Sequence, residues 1–304
     1  MPNLKDIKSR INNAGVAEKV TFSMKNIAAA KLAQARKFYY SGKDYLTYND
    51  KILQYLLLTF QKNGYHCDNS NIVDVVFCGK QNLPKLIFVV GADRGLCGSF
   101  NANVIKTTEK FLSKLKENNT DFFILTLGSK VKNYFSAKYK EKVHSFPYKL
   151  DIGNFGREEA LLIVNYIFKL IIEQKVGTVD FIYTNFVSVL ENFPKISQVF
   201  PVDFSVIANK KDDKSIKVED LNVVTDKFIG SIVDNIIKDV LLSSTYKAII
   251  ESLTSEYSSR VNAMDNAFNN SKELLDDLSL EYNRTRQNLI TKELIEIISG
   301  NEAL

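Results

Sequence analysis

Across 304 residues, 45% hydrophobic and 25% charged side chains can build a sizeable core, which excludes a disordered chain. A formal net charge of +5 is too small to argue for a nucleic-acid binder and suits a basic surface that meets acidic partners. Cys67, Cys78 and Cys97 match no zinc spacing and are odd in number, and His66 and His144 are the only histidines, so neither a disulfide framework nor a metal site is expected.

The opening MPNLKDIKSRI has no apolar h-region and enters a helical pattern at once, so no secretory leader is expected. Nowhere do ~18 apolar residues run together, so no membrane span is expected either. Prolines fall only at Pro2, Pro84, Pro147, Pro194 and Pro201, and nine of the 13 glycines lie between Gly64 and Gly177. An interior proline costs a helix about 3 kcal/mol, so the proline-free arms at the two ends are free to form long helices. In the first arm, Ile7, Ile11, Ala14, Thr21, Met24, Ala28, Ala35, Phe38, Tyr45, Ile52 and Leu56 fit steps of three and four. That rhythm is the seam of a left-handed coiled coil. Ala28, Ala29, Ala30, Ala33 and Ala35 would let a partner helix approach closely. At ~1.5 Å per residue, an arm of ~55 residues is on the order of 80 Å long.

The middle of the chain reads differently. Apolar runs bounded by turn residues predict strands at Ile72–Cys78, Leu86–Val90, Phe122–Leu127 and Val179–Thr184, with a weaker one at Ser197–Val202. Helical patterns lie between them at Asn101–Lys116, Ser129–Lys138 and Arg157–Gln174. Such alternation predicts βαβ units and a mainly parallel, Rossmann-like sheet. The charged stretch Asn209–Val218 reads as a loop.

The last arm, from about Asp226 to Ser299, carries the clearest rhythm. Ile229, Val233, Ile236 and Val240 open a 4-3-4 spacing. It continues through Ile250, Tyr257, Val261, Met264, Phe268, Ser271, Leu275, Leu278, Tyr282, Thr285 and Leu289, with Ser243, Lys247 and Thr254 filling the slots between. The two arms are the long amphipathic stretches, so they are expected to pair with each other, antiparallel. The alternative is that each arm breaks into shorter bundle helices, at Gly42 or at Gly230.

The sharpest chemical motif is LIFVVGADRGLCGSFN at Leu86–Asn101, a buried strand, a glycine-rich turn and a helix start. That is the layout of a phosphate-binding loop. Gly91, Gly95 and Gly98 are spaced G-x-x-x-G-x-x-G, and no Lys-Ser/Thr follows, so neither dinucleotide fingerprint nor P-loop is met. A structural turn is expected instead, with Asp93 and Arg94 making local or inter-domain contacts around Gly95 and Gly98. The acidic pairs Glu158–Glu159 and Asp276–Asp277 lie in helical segments and read as solvated faces. No catalytic residue and no cofactor are expected. The alternative reading is a Rossmann-type nucleotide-binding enzyme with coiled-coil oligomerisation arms.

Three blocks then resemble one family in order and position. They are KDIKSRI (Lys5–Ile11) with MKNIAAAKL (Met24–Leu32), DRGLCGSFN (Asp93–Asn101), and the long block from Ser259 to Gly300 that begins SRVNAMDNAF. Together they resemble the gamma subunit of F-type ATP synthase, in its bacterial form. The resemblance departs at Ala92, Ser99, Phe268 and the LNVVTD stretch at Leu221–Asp226, and the last puts contacts to the c ring from that region in doubt.

The resemblance implies an α/β protein in three parts. Residues 1–63 form an N-terminal coiled-coil helix, residues 64–220 an inserted Rossmann-like domain, and residues 221–304 a C-terminal helix that pairs with the first. It implies a rotor, the central stalk that couples proton flow to ATP synthesis or hydrolysis at the beta subunits while performing no chemistry itself. Its implied partners are the alpha and beta subunits, the epsilon subunit and the c-subunit ring. The implied location is peripheral, on the cytoplasmic face of the bacterial inner membrane. Contacts to the alpha/beta ring carry over to Met24, Lys25, Arg260, Arg286, Gln287, Thr291 and Glu293. Arg260 is expected across from the region of Met24 and Lys25. The C-terminal helix is expected to outrun the first and to expose an apolar tip that the ring covers.

Overall fold

A computed structural model describes residues 3–62, 79–80, 82–144, 146, 155–173, 175–201 and 229–302. The strand expected at Ile72–Cys78, the loop at Asn209–Val218 and the side chains of Tyr45, Ile52 and Leu56 lie outside the described residues. Two long helices bracket an α/β domain in the sequence. Helix α1 runs Leu4–Lys62 and the last helix, α5, runs Ile229–Glu302. Between them come β1 (Lys85–Val90), α2 (Phe100–Glu117), β2 (Phe122–Leu127), α3 (Ser129–Lys138), β3 (Val143–His144), α4 (Arg157–Ile172), β4 (Thr178–Phe186) and β5 (Asn192–Phe200). Gly42 does not interrupt α1, and Gly230 sits in the first turn of α5, so neither arm breaks into bundle helices. The chain forms two compact units, Met1–Lys31 with Arg260–Leu304, and Leu32–Ser259.

The first unit is an antiparallel helix pair. Asn3 starts α1: its side-chain oxygen accepts the Lys5 N–H at 3.1 Å and its carbonyl accepts the Asp6 N–H at 2.9 Å. Asp6 adds a negative charge to the first turn, where the helix dipole favours it. Along α1 the buried or half-buried positions of this unit are Leu4, Ile7, Ile11, Ala14, Gly15, Glu18, Thr21, Lys25 and Ala28. On α5 they include Val261, Met264, Phe268, Ser271, Leu275, Leu278, Tyr282, Thr285 and Leu289, the expected seam. A Cβ on Gly15 would lie 3.5 Å from Leu275 Cδ1, the Phe22 and Phe268 rings are 5.6 Å apart, and Lys25 meets Asp265. Ten residues along α1 (15 to 25) thus match ten back along α5 (275 to 265), which fixes the antiparallel sense.

The seam of α1 differs from expectation at Met24, which is exposed while Lys25 turns inward. Of the five alanines, Ala28 and Ala35 are buried, whereas Ala29, Ala30 and Ala33 face outward.

In the second unit a five-stranded sheet has the order β3-β2-β1-β4-β5. β1, β2, β3 and β4 pair in parallel, and β5 returns antiparallel beside β4. The parallel strands are apolar runs because helices cover both faces. On one face, Ile87, Val89, Phe122, Ile124 and Ile182 pack with Val104, Leu112 and Leu115 of α2 and Val131 and Phe135 of α3. On the other, Tyr39 of α1 meets Phe186 at 5.6 Å, and Ser255 and Ser258 of α5 donate to the carbonyls of Thr184 and Val189. Lys238 of α5 lies 4.7 Å from the centre of the Phe168 ring of α4.

Here α5 is no coiled-coil stripe. Residues 248–258 are all buried, polar ones included. Their hydroxyls are partly satisfied by back-bonding, as Thr254 Oγ1 donates to the Ile250 carbonyl at 2.7 Å. Glu159, expected on a solvated face, accepts the Gly156 N–H at 2.9 Å and caps α4.

Candidate partner-contact surface

The end of α5 outruns its partner. Continued from Lys25–Asp265, the register of the pair puts Leu4, the first residue of α1, opposite Arg286. From Ile290 to Ser299 every residue is exposed. Two neighbouring stripes run along this tip in 4-3-4 steps: Gln287, Thr291, Leu294 and Ile298, and Arg286, Ile290, Glu293 and Ile297. Ile290, Leu294, Ile295, Ile297 and Ile298 give a single helix an apolar surface that monomeric chains rarely leave uncovered. Arg286 and Gln287 stand exposed at the point where pairing ends. The Thr291 hydroxyl back-bonds to the Gln287 carbonyl at 2.9 Å, and Lys292 and Glu296 form a 3.7 Å ion pair one turn apart.

Further down the pair, Met24 is 39% exposed. Lys25 donates to Asp265 Oδ1 at 2.5 Å and lies 5.9 Å from the centre of the Phe268 ring. Arg260 is half-buried, and the register places it opposite Ala30 rather than Lys25. The sequence reading missed Asp265. The one available signal was its place beside the Met264 and Phe268 seam positions.

The glycine-rich turn lies at the carboxyl end of β1, beside β4, where the strand order reverses. In an open α/β sheet that crevice is the usual ligand site. In this turn Ala92, Cys97 and Phe100 are buried against one another. The start of α3 is taken by Asp93, whose Oδ1 accepts the Ser129 N–H at 2.9 Å, while Ser129 Oγ donates to the Asp93 carbonyl at 2.6 Å. The Ala92 N–H donates to Asn101 Oδ1 at 3.0 Å and the Ala92 carbonyl accepts the Lys130 N–H at 3.2 Å.

The glycines serve this packing. A Cβ on Gly91 would lie 2.4 Å from Val131 Cγ1, and Gly128, at φ +102°, would place one 2.4 Å from the Gly91 carbonyl oxygen. Gly98 is also left-handed, at φ +57°; Gly95 is not, and its Cβ would find open space beyond the end of Lys130. Arg94 points to solvent, while its carbonyl accepts a weak bond from Cys97 Sγ at 3.8 Å.

Several titratable groups are perturbed by burial without forming a catalytic constellation among the described residues. Desolvation raises Glu251 on α5, with Lys247 and Lys195 partly offsetting it, and its Oε2 has no partner. Tyr183 is raised by burial, then by Glu251 and Tyr39. Asp180 is raised by burial despite Lys85 at 3.4 Å. His144 is pushed down by burial and by Lys175, and its ring stands edge-on to Phe123 at 4.6 Å. No helix among the described residues is long and apolar enough to cross a membrane.

Fold and surface together define a protein with a long antiparallel helix pair in one unit and a Rossmann-like α/β domain in the other. The chain matches the ATP synthase family over residues 3–304. It is 33% identical over 304 residues to the ATP synthase gamma chain of Acidiphilium cryptum and 31% identical over 315 residues to that of Pelagibacter ubique, covering all of both chains in each case. In fold it resembles a chain in the central stalk and c-ring structure of Tetrahymena thermophila mitochondrial ATP synthase. That likeness has a TM-score of 0.57 at 20% identity, with 82% of this chain and 99% of that one covered. The chain belongs to the ATP synthase gamma-chain family.

Proposed function

We propose that this chain is the central rotor stalk of a proton-translocating F-type ATP synthase, coupling proton flow to ATP synthesis or hydrolysis at the beta subunits. The observation that carries this reading is the unequal helix pair: α5 continues past the start of α1 as a lone helix with an exposed apolar tip. A stalk that changes its surroundings by turning needs asymmetry about its axis. A single helix emerging from a pair provides it. The tip fits a hydrophobic sleeve formed by alternating alpha and beta subunits, which would cover Ile290, Leu294, Ile297 and Ile298.

Arg286, Gln287, Thr291 and Glu293 are the polar contacts at the mouth of that sleeve, where an arginine fork suits a carboxylate on a beta loop. Met24 and Arg260 face the ring lower down. The charge of Lys25 is already engaged within the helix pair. The turn holding Asp93, Arg94, Gly95 and Gly98 keeps β1, α2 and α3 together and binds no cofactor. The chain supplies mechanical coupling and no chemistry. Its other partners are the epsilon subunit and the c-subunit ring, and it reaches the cytoplasmic face of the bacterial inner membrane only through the complex.

Native purification of the tagged chain tests the reading. Alpha, beta and epsilon subunits should co-purify in a complex that hydrolyses ATP. Recovery of the chain without alpha and beta subunits would overturn it.

A further inference from the structure

Lys25 occupies a seam position of α1, where a coiled coil ordinarily carries an apolar side chain. Its ammonium is held across the seam in a partly exposed pair. It donates to Asp265 on the opposite helix, and it lies over the Phe268 ring, against which Phe22 also packs at 5.6 Å. Much of the surrounding seam is small or lacks direction: Ala14, Gly15, Thr21 and Ala28 on α1, and Ser271 and Thr285 on α5. Smooth apolar seams specify register weakly, and one polar residue at a core position is the best-attested device for fixing it. The sequence also opposes neighbouring registers. Sliding α5 by one heptad puts either Lys272 or Ser258 where Asp265 stands. The first repels the ammonium, and the second leaves it half-buried with no counter-charge.

We infer that the Lys25–Asp265 pair fixes the axial register and relative rotation of the two helices, acting inside the pair rather than on a neighbouring subunit. Both are positioning residues. The inference rests on the stalk reading above, because a stalk whose helices slide on each other would lose twist before delivering it.

Cysteine pairs read the register directly in the full chain. G15C with L275C reports the native register, since a Cβ at residue 15 lies 3.5 Å from Leu275 Cδ1. G15C with Y282C reports a slip of one heptad, the slide that would set Lys272 against Lys25. After mild oxidation the linked peptides are quantified by mass spectrometry. K25A/D265A should raise the ratio of slipped to native product about fivefold, the scale of one partly exposed ion pair. K25D/D265K should return it to the wild-type value. An unchanged ratio in K25A/D265A overturns the inference, as does a charge swap that behaves like the alanine variant. An unchanged ratio with normal co-purification of alpha and beta subunits removes the register role alone. Failure of the wild-type chain to co-purify with them removes the stalk reading and leaves the cross-link result standing.

Discussion

Truncating two leucines of α5 separates the part of the helix that is paired from the part that is bare. Leu278 is 2% exposed in the seam, whereas Leu294 is 53% exposed on the tip. Leu278→Ala removes about three buried carbons, roughly 2.4 kcal/mol at ~0.8 kcal/mol each. Residual cavity usually adds to that figure, but a two-helix seam open at both sides can collapse, so a total near 2–3 kcal/mol is expected. Leu294→Ala deletes a side chain already in water and should fall within about 0.5 kcal/mol of wild type.

Urea unfolding of the purified full chain, followed by helical circular dichroism, measures both. In the assembled complex the order should reverse. Leu294→Ala, combined with Ile298→Ala, should weaken retention of the chain by the alpha/beta ring, while Leu278→Ala keeps the tip surface intact. If Leu278→Ala is neutral, the seam is not formed as described. If Leu294→Ala destabilises the isolated chain as much as Leu278→Ala, the tip is covered from within and the argument for an external sleeve fails.

Other outcomes follow from the same geometry. Gly91→Ala should destabilise the α/β domain by several kcal/mol, because its Cβ falls 2.4 Å from Val131 Cγ1. Gly91→Ala with Val131→Ala should recover part of the loss in urea unfolding, since it removes the two shortest contacts, to Val131 Cγ1 and Cγ2, and leaves Val131 Cβ at 3.2 Å. Glu251→Gln tests the buried carboxyl. Burial raises its folded pKa above the unfolded one, so the folded state holds the proton more tightly and wild-type stability falls as pH rises from the unfolded towards the folded value. The variant should match wild type near pH ~4 and exceed it by about 1 kcal/mol at pH ~7–8, and a gap independent of pH would refute this. Met24→Lys, which adds a charge at an exposed position beside the Lys25–Asp265 pair, should lower the ratio of proton pumping to ATP hydrolysis in membrane vesicles; an unchanged ratio would count against a ring-facing Met24.

Much of this architecture could be read from residues in advance, where one force dominated. The 4-3 rhythm from Val261 to Leu289 is the observed seam because helix pairing alone decides which of those side chains are buried. Ser129–Lys138 and Phe122–Leu127 were delimited by Gly128 and by apolar runs that both sheet faces require. Misreadings came where a distant element overrode the local signal. Met24 looked like the seam residue until Asp265 and Phe268, some 240 positions away, drew Lys25 inward through its long apolar stem. Thr254 and Tyr257 read as positions of the coiled-coil seam, yet the whole run Ser252–Ser258 is buried, with Ser255 and Ser258 donating to the Thr184 and Val189 carbonyls of the β4–β5 hairpin.

β3 is two residues long and β5 is an edge strand with an irregular burial pattern, so neither carries the alternation that announces a strand. Among the proposed contact residues, Arg286, Gln287, Thr291 and Glu293 are legible only through resemblance. Their exposure depends on where α1 begins, and no local pattern encodes that.

The claim that the chain turns within its complex is tested most directly by immobilising the purified complex through its beta subunits and fixing a gold rod to a cysteine introduced on the exposed face of α2. Adding ATP should drive stepwise, unidirectional rotation of the rod about the stalk axis. A rod that stays fixed while ATP is hydrolysed at the normal rate would contradict the account.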